Sequence, residues 1–167
     1  MRFIWGFITA VVIGVLAGLW ITYSGSYNVA ANADDPGIVK WLLSTNMERS
    51  VARHAQSISA PPQFSEQQVH QGSAIYKETC VYCHGAPGRD WSDIGKGLNP
   101  VPPNLALGRW SSAQLFWIIK SGIKMTGMAS YGAVHKDDEI WSLVAFVQRL
   151  PTMTPEQYDR MVGGSGG

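Results

Sequence analysis

The chain has 167 residues, 46% of them hydrophobic and 15% charged, with a net charge of +1. That length suits one domain of ordinary size plus an additional segment, and so even a charge balance excludes a nucleic-acid footprint. Gly at 18 and Pro at 9 predict long loops, and seven Trp is a high count, with Trp5 and Trp20 inside the first 20 residues.

Phe3 to Tyr23 is 21 residues without a charge. As a helix it reaches about 30 Å, enough to span a bilayer. Arg2 precedes it and Asp34 and Asp35 follow, a bias that places the N-terminus in the cytoplasm and the remainder outside. Trp5, Trp20 and Tyr23 stand near its two ends as interface anchors, and Gly14-x-x-x-Gly18 is a small-residue spacing at which another helix could approach. Ala31-Asn32-Ala33 matches a signal-peptide cleavage site, but the apolar stretch is longer than a signal core. The reading adopted is a retained single-pass anchor over 1–23, in the inner membrane of a bacterium, with the rest of the chain in the periplasm.

Residues 24–62 read as a linker containing a short amphipathic helix. Asp35 is a candidate N-cap with Pro36 at the first helical position. Ile38, Trp41 and Leu42 fall on one face, a stripe that Met47 and Val51 do not extend cleanly, while Arg49, Arg53 and His54 make the second half basic. This helix, roughly 36–56, is either packed on its own domain or a docking element for a larger membrane-bound partner, with Trp41 and Leu42 as the anchors. Pro61-Pro62 closes the segment.

Ser65-Glu66-Gln67-Gln68 is a capping box that opens a helix running to Cys80. Gly72 in its interior costs about 1 kcal/mol relative to Ala, so a second helix crossing closely at that point is expected. Cys80-Val81-Tyr82-Cys83-His84 then has the C-x-x-C-H spacing of covalent c-type haem attachment. Each thiol forms a thioether to the porphyrin and the histidine becomes an axial ligand. Competing readings are weaker. A redox C-x-x-C belongs in a βαβ pattern that is not visible here. A structural zinc site needs about four N or S ligands, which would have to draw on the scattered His54, His70 and His135. A disulfide would leave the adjacent His84 accidental.

A turn at Gly85-Ala86-Pro87-Gly88 leads into a loop through Asn99-Pro100-Val101-Pro102-Pro103-Asn104-Leu105. Ser111-Ser112-Ala113-Gln114 is a second capping box, opening a helix that stops at Gly122. Asp137, Asp138 and Glu139 load a last helix start with acid, Ile140, Leu143, Val144 and Val147 give it a buried face, and Pro151 prevents its continuation. No segment alternates as a strand. The domain is placed at 63–153. Residues 154–167 are read as a tail whose Gly/Ser end is a cloning remnant.

Four motifs together carry a family resemblance: Gly72-x-x-x-Tyr76-x-x-x-Cys80-Val81-Tyr82-Cys83-His84, Pro102-Pro103-Asn104-Leu105, Gly127-Met128, and Ile140 through Val147. In this order residues 65–151 resemble the class I cytochromes c, the short bacterial mono-haem group related to the haem domains of cbb3-type oxidase subunits. The resemblance implies an all-α cytochrome c fold, roughly three or four helices around one covalent haem c, here preceded by the transmembrane helix. It implies Cys80, Cys83, Tyr76, Pro103 and Leu105 about the cofactor and His84 as an iron ligand. The second ligand is a methionine on the loop between the last two helices, which leaves Met128 and Met125. Met128 is chosen for its Gly127-Met128 context, although Ala129 stands where the family usually has proline. His135 is a more distant alternative. A proline carbonyl, Pro103 or failing that Pro102, is expected to accept the proton on the far nitrogen of His84. Gly72 and Tyr76 should meet Leu143 and Phe146 where the first and last helices cross, and Trp91, Trp110 and Trp117 either pack on the porphyrin or shield it.

Methionine with histidine raises the potential and fills the sixth position, which favours electron transfer over substrate turnover. The expected protein is therefore a membrane-anchored carrier of single electrons, not itself an enzyme, acting as a subunit or tethered partner of a larger redox enzyme or oxidase complex in a respiratory chain. The bilayer and that complex are its partners; no small-molecule substrate is expected. Seven acids against eight bases over 65–151 give a mixed surface, even with Lys77, Lys96, Lys120 and Lys124 near the haem edge. The rival classes are a haem enzyme or gas sensor with an open sixth position, and an assembly subunit whose haem lies off the electron path.

Overall fold

The structure, a computed structural model, describes residues 2–108 and 110–163. It separates into two compact units, residues 1–34 and 35–167. The regular elements among the described residues are all helices, with a single isolated bridge between Ala86 and Arg89 and no strand.

The first unit is helix α1 (Arg2–Ser24) followed by irregular chain. None of its 23 residues is buried, and nothing lies within 4 Å of where a Cβ would stand on Gly6, Gly14 or Gly18. Thr9 and Thr22 return their hydroxyls to the carbonyls of Trp5 and Gly18, four residues back, so their polar atoms are satisfied inside the helix. By length and composition α1 is able to cross a membrane; a signal sequence near an N-terminus has the same character.

The second unit is built on one helix crossing. Helix α3 (Glu66–Thr79) starts where the capping box was expected: Ser65 Oγ accepts from Gln68 N at 3.2 Å and Gln68 Oε1 accepts from Ser65 N at 3.0 Å. It packs against the helix Asp137–Arg149, here α7, more extensively than any other pair of elements pack. At the crossing a Cβ on Gly72 would stand 1.9 Å from the Ser142 carbonyl oxygen and 2.9 Å from Phe146 Cβ, so the two backbones can approach only because residue 72 has no side chain. The nearest backbone is that of Ser142 rather than the expected Leu143. One turn on, the Tyr76 ring lies 5.2 Å from that of Phe146. Both rings are fully buried, each contributing on the order of 2 kcal/mol or more from area alone.

Between these helices the chain forms α4 (Val81–His84), α5 (Asp93–Lys96) and α6 (Ser112–Ser121). Ser111 and Gln114 cap α6 reciprocally, and Gly122, at φ 67°, ends it. The start of α7 is closed by Glu139, whose carboxylate accepts the Lys136 N–H at 2.8 Å. Ile140, Leu143, Val144 and Val147 are all buried, as their spacing predicts.

Two stretches differ from expectation. The helix of the 24–62 segment, α2 (Gly37–Ala55), lies in the second unit and packs on α6. Its buried residues are Val51 and Ala55, and His54 stacks on Trp117 with centroids 5.1 Å apart. The predicted stripe is the exposed side: Ile38, Trp41 and Leu42 are each more than half exposed. The helix therefore packs on its own domain through Val51 and Ala55 and leaves the Ile38–Trp41–Leu42 stripe open, so both alternatives left by the sequence describe a part of it. The second difference is in the region read as a tail, where Pro155–Gly163 forms α8. Thr154 and Gln157 cap it reciprocally, at 2.8 and 3.2 Å, and its Tyr158 is buried against Tyr76 and Phe146, at 6.5 and 6.2 Å between ring centroids. Lys77 donates to the Val162 carbonyl at 3.1 Å, tying α3 to α8. The remaining Gly/Ser end, 164–167, lies outside the described residues.

Because α2 is held through its second half, Val51→Ala should lower the unfolding free energy by about 2 kcal/mol. Trp41→Ala should change it by less than about 0.5 kcal/mol. Guanidinium titration of the two variants checks the difference.

Candidate haem site

The C-x-x-C-H segment is shaped by the end of α3. Cys80 caps that helix, its N–H bonding to the Tyr76 carbonyl at 2.9 Å, and α4 continues with the N–H groups of Cys83 and His84 both directed to the Cys80 carbonyl. Residues three and four apart on a helical turn share a face, so the two sulfurs and the imidazole project to one side. Gly85, at φ 66°, stops the turn; a Cβ there would stand 2.8 Å from the Arg89 carbonyl. Tyr76 braces this point from the core, its hydroxyl donating to the Gly85 carbonyl at 2.7 Å. Burial drives the Tyr76 pKa far up, so the group stays a donor. Tyr76 thus holds the backbone that follows His84.

His84 Nδ1 lies 2.8 Å from the Pro103 carbonyl. A carbonyl only accepts, so Nδ1 carries the proton and Nε2 keeps its lone pair. Burial lowers the imidazole pKa, with the Pro103 carbonyl opposing that shift, and the ring stays neutral, as a metal ligand must. Pro102 is used differently: its carbonyl accepts the Trp91 indole N–H at 2.9 Å. Of the two prolines left open by the sequence, Pro103 is the one bonded to His84. Leu105 opens a short 3-10 turn (Leu105–Leu107) capped by the Asn104 side chain, and packs half-buried on the core.

Cys80 and Cys83 form no disulfide. Burial pushes the Cys80 thiol up to about 11, with a contact to Thr79 working against it. A redox-active C-x-x-C needs a lowered thiol pKa, so this environment suits a thiol kept protonated. No group of three or more His, Cys, Asp or Glu side chains able to hold a metal ion occurs among the described residues, which disfavours the zinc reading. The donor set that fits is one imidazole nitrogen with two thiols on one face of a turn, the set a covalently attached haem requires.

The two methionines of the loop after α6 are distinguished by burial. Met128 is half-buried and packs on the core, whereas Met125 is 80% exposed, with φ at 59°. His135 stacks on Tyr131 and faces Glu139 at 3.6 Å. Trp110 packs on the core and Trp117 on His54. Lys120 pairs with Asp137 at 2.6 Å, which compensates its charge, whereas Lys77 keeps its charge while donating to the α8 backbone.

Residues 67–147 match the family described as cytochrome c oxidase, cbb3-type, subunit III. This stretch has the all-helical fold of a cytochrome c domain and is similar to that family over 81 of the chain's 167 residues. The family implies haem c and is an electron-transfer module. The chain is also similar to the quinohemoprotein alcohol dehydrogenase of Comamonas testosteroni, 27% identical over 136 residues, which is 77% of this chain and 18% of that protein. A structure of the reducing HAO-like protein complex of Kuenenia stuttgartiensis aligns with a TM-score of 0.50 at 25% identity, covering 55% of this chain and 47% of that one. The chain thus spans less than a fifth of the curated relative's length and about half of the solved one.

Around the cytochrome c domain's C-x-x-C-H turn, three contributors escaped sequence reasoning. Gly95 of α5 lets that helix meet the turn, since a Cβ there would stand 2.9 Å from the Cys83 carbonyl. Ser92 Oγ donates to the Tyr82 carbonyl. Thr126 bonds inside the Met128 loop. A lone Gly or Ser in a loop carries no readable signal, but a Thr two residues before a backbone N–H is a known turn-former.

Removing the Tyr76 hydroxyl takes a donor from the buried Gly85 carbonyl. Tyr76→Phe should cost about 1–3 kcal/mol, read as a lower guanidinium midpoint of the holoprotein with its helix content unchanged.

Proposed function

We propose that this chain carries one haem c, bonded through Cys80 and Cys83, with His84 Nε2 and Met128 Sδ as the axial donors. In this reading it passes single electrons as a subunit or tethered partner of a larger redox complex. The observation that carries the proposal is the His84–Pro103 bond, which fixes the ring and leaves Nε2 as its one ligand atom beside two cysteines that form no disulfide. Once bound, the haem supplies a one-electron couple. The protein's own part is to fix the imidazole, cover the cofactor with the α3–α7 core, and present a thioether from the Gly122–Ser130 loop. A thioether at the second position raises the potential and closes the site to small ligands.

Two further elements of the reading rest on the rest of the chain. α1 serves as a retained anchor that holds the domain on the periplasmic side of a bacterial inner membrane, where a tethered carrier meets its partner at raised effective concentration. The similarity to proteins named as a quinohemoprotein dehydrogenase and a multi-subunit complex supports a redox enzyme as that partner.

Mass spectrometry of the purified chain should give 18.2 kDa plus the mass of one haem, and Cys80→Ala/Cys83→Ala should abolish the addition. The ferric protein should show the weak red-end absorption of sulfur ligation. Met128→Ala should lose that band and bind cyanide or carbon monoxide. A mass equal to the polypeptide alone, or a band that survives in Met128→Ala, overturns the respective assignment.

A further inference from the structure

The loop that presents Met128 is closed by one side chain. Ile123 N–H donates to the Met128 carbonyl at 3.1 Å, drawing the two ends of a six-residue segment together. Inside that ring the Thr126 hydroxyl donates to the Ile123 carbonyl at 2.8 Å and accepts the Met128 N–H at 3.0 Å. It uses its donor and an acceptor on both ends of the loop at once. Ser130 Oγ anchors the exit to the Lys120 carbonyl at 2.8 Å. The surroundings leave little slack: a Cβ on Gly122 would stand 2.8 Å from the Met128 carbonyl, and one on Gly127 would stand 2.7 Å from a methyl of the Leu98 side chain.

The segment also holds a cost that something must offset. Met125 sits in the left-handed region at φ 59°, where a residue with a side chain is disfavoured by roughly 1–2 kcal/mol. The residue after Met128 is Ala129, which restricts neither its own φ nor the conformation of the residue before it, as a proline would. Covalent stiffening is therefore absent where the loop most needs it, and hydrogen bonds must supply the constraint.

We infer that Thr126 is the positioning residue for Met128: its hydroxyl, bridging the Ile123 carbonyl and the Met128 amide, fixes the backbone from which the thioether reaches the iron. The inference rests on the reading of Met128 as a ligand. The Thr126 hydroxyl bonds backbone atoms of the loop, so it acts on the site through Met128. It acts on the strength with which Met128 resists displacement.

The test uses the full haem-loaded chain in four forms: wild type, Thr126→Val, which keeps the shape and loses the hydroxyl, Thr126→Ser, which keeps the hydroxyl, and Met128→Ala. Ferric protein is titrated with imidazole, which competes with the thioether. Thr126→Val should bind imidazole about tenfold more tightly than wild type, the scale of one to two lost hydrogen bonds. It should also lose amide-exchange protection at Met128. Thr126→Ser should stay within about twofold of wild type on the same scale. Should the valine variant not accumulate, Thr126→Ala is read by the same titration. A wild-type imidazole constant in Thr126→Val or Thr126→Ala overturns the inference, as does a tenfold change in Thr126→Ser. If Met128→Ala keeps the red-end band, the ligand assignment has failed. If it loses the band while Thr126→Val matches wild type, only the role of Thr126 has failed.

Discussion

The organisation of this domain depends on the distance at which α3 and α7 cross. With the Ser142 carbonyl where a methyl group of residue 72 would be, the helices are as close as their backbones permit. That approach places Tyr76 against Phe146 and directs its hydroxyl to Gly85. The C-x-x-C-H turn is thus fastened at its far end by a residue of the core. Its near end is continuous with α3, and its imidazole is tied to Pro103. Three constraints act on five residues, the precise placement that the axial role proposed for His84 requires.

The other side of the site is made in a different way. The His84 side is set by helices and buried rings, whereas the Met128 side is a loop closed by short-range hydrogen bonds. If the two residues are the axial pair proposed above, they answer to different perturbations: changes in the α3–α7 core act on the imidazole, and changes in the loop act on the thioether. α6, which carries the loop, is supported from behind by α2, with His54 on Trp117 and Val51 buried.

Much of this was readable in the sequence, for identifiable reasons. Capping boxes at Ser65 and Ser111 are local chemistry, and both formed as written. The buried face of α7 is a strong period, and Gly72 within a helix announced the crossing. The Pro103 carbonyl followed from the family resemblance and not from spacing. What failed was non-local. The placing of α2 in a linker missed that its Val51 and Ala55 are buried and that it packs on α6, while the Ile38–Trp41–Leu42 stripe is exposed, as the docking alternative required. α8 lies beyond what the sequence reading reaches, although Thr154-x-x-Gln157 is the same box that occurs twice upstream; Pro151 ends α7 but only separates it from α8. Thr126 was passed over because the bonds it makes depend on a loop conformation that one residue type does not specify.

The helices that flank the family-matched span have a consequence for where this protein can be cut. Tyr158 of α8 completes an aromatic trio whose other members lie within residues 67–147, and α2 covers α6 from outside the same interval. The recognisable module and the cooperative folding unit accordingly have different borders. Excision at the module's edges would strip a ring from the interior and bare one flank of α6, so a transplantable version of this domain begins near residue 36 and ends after Val162.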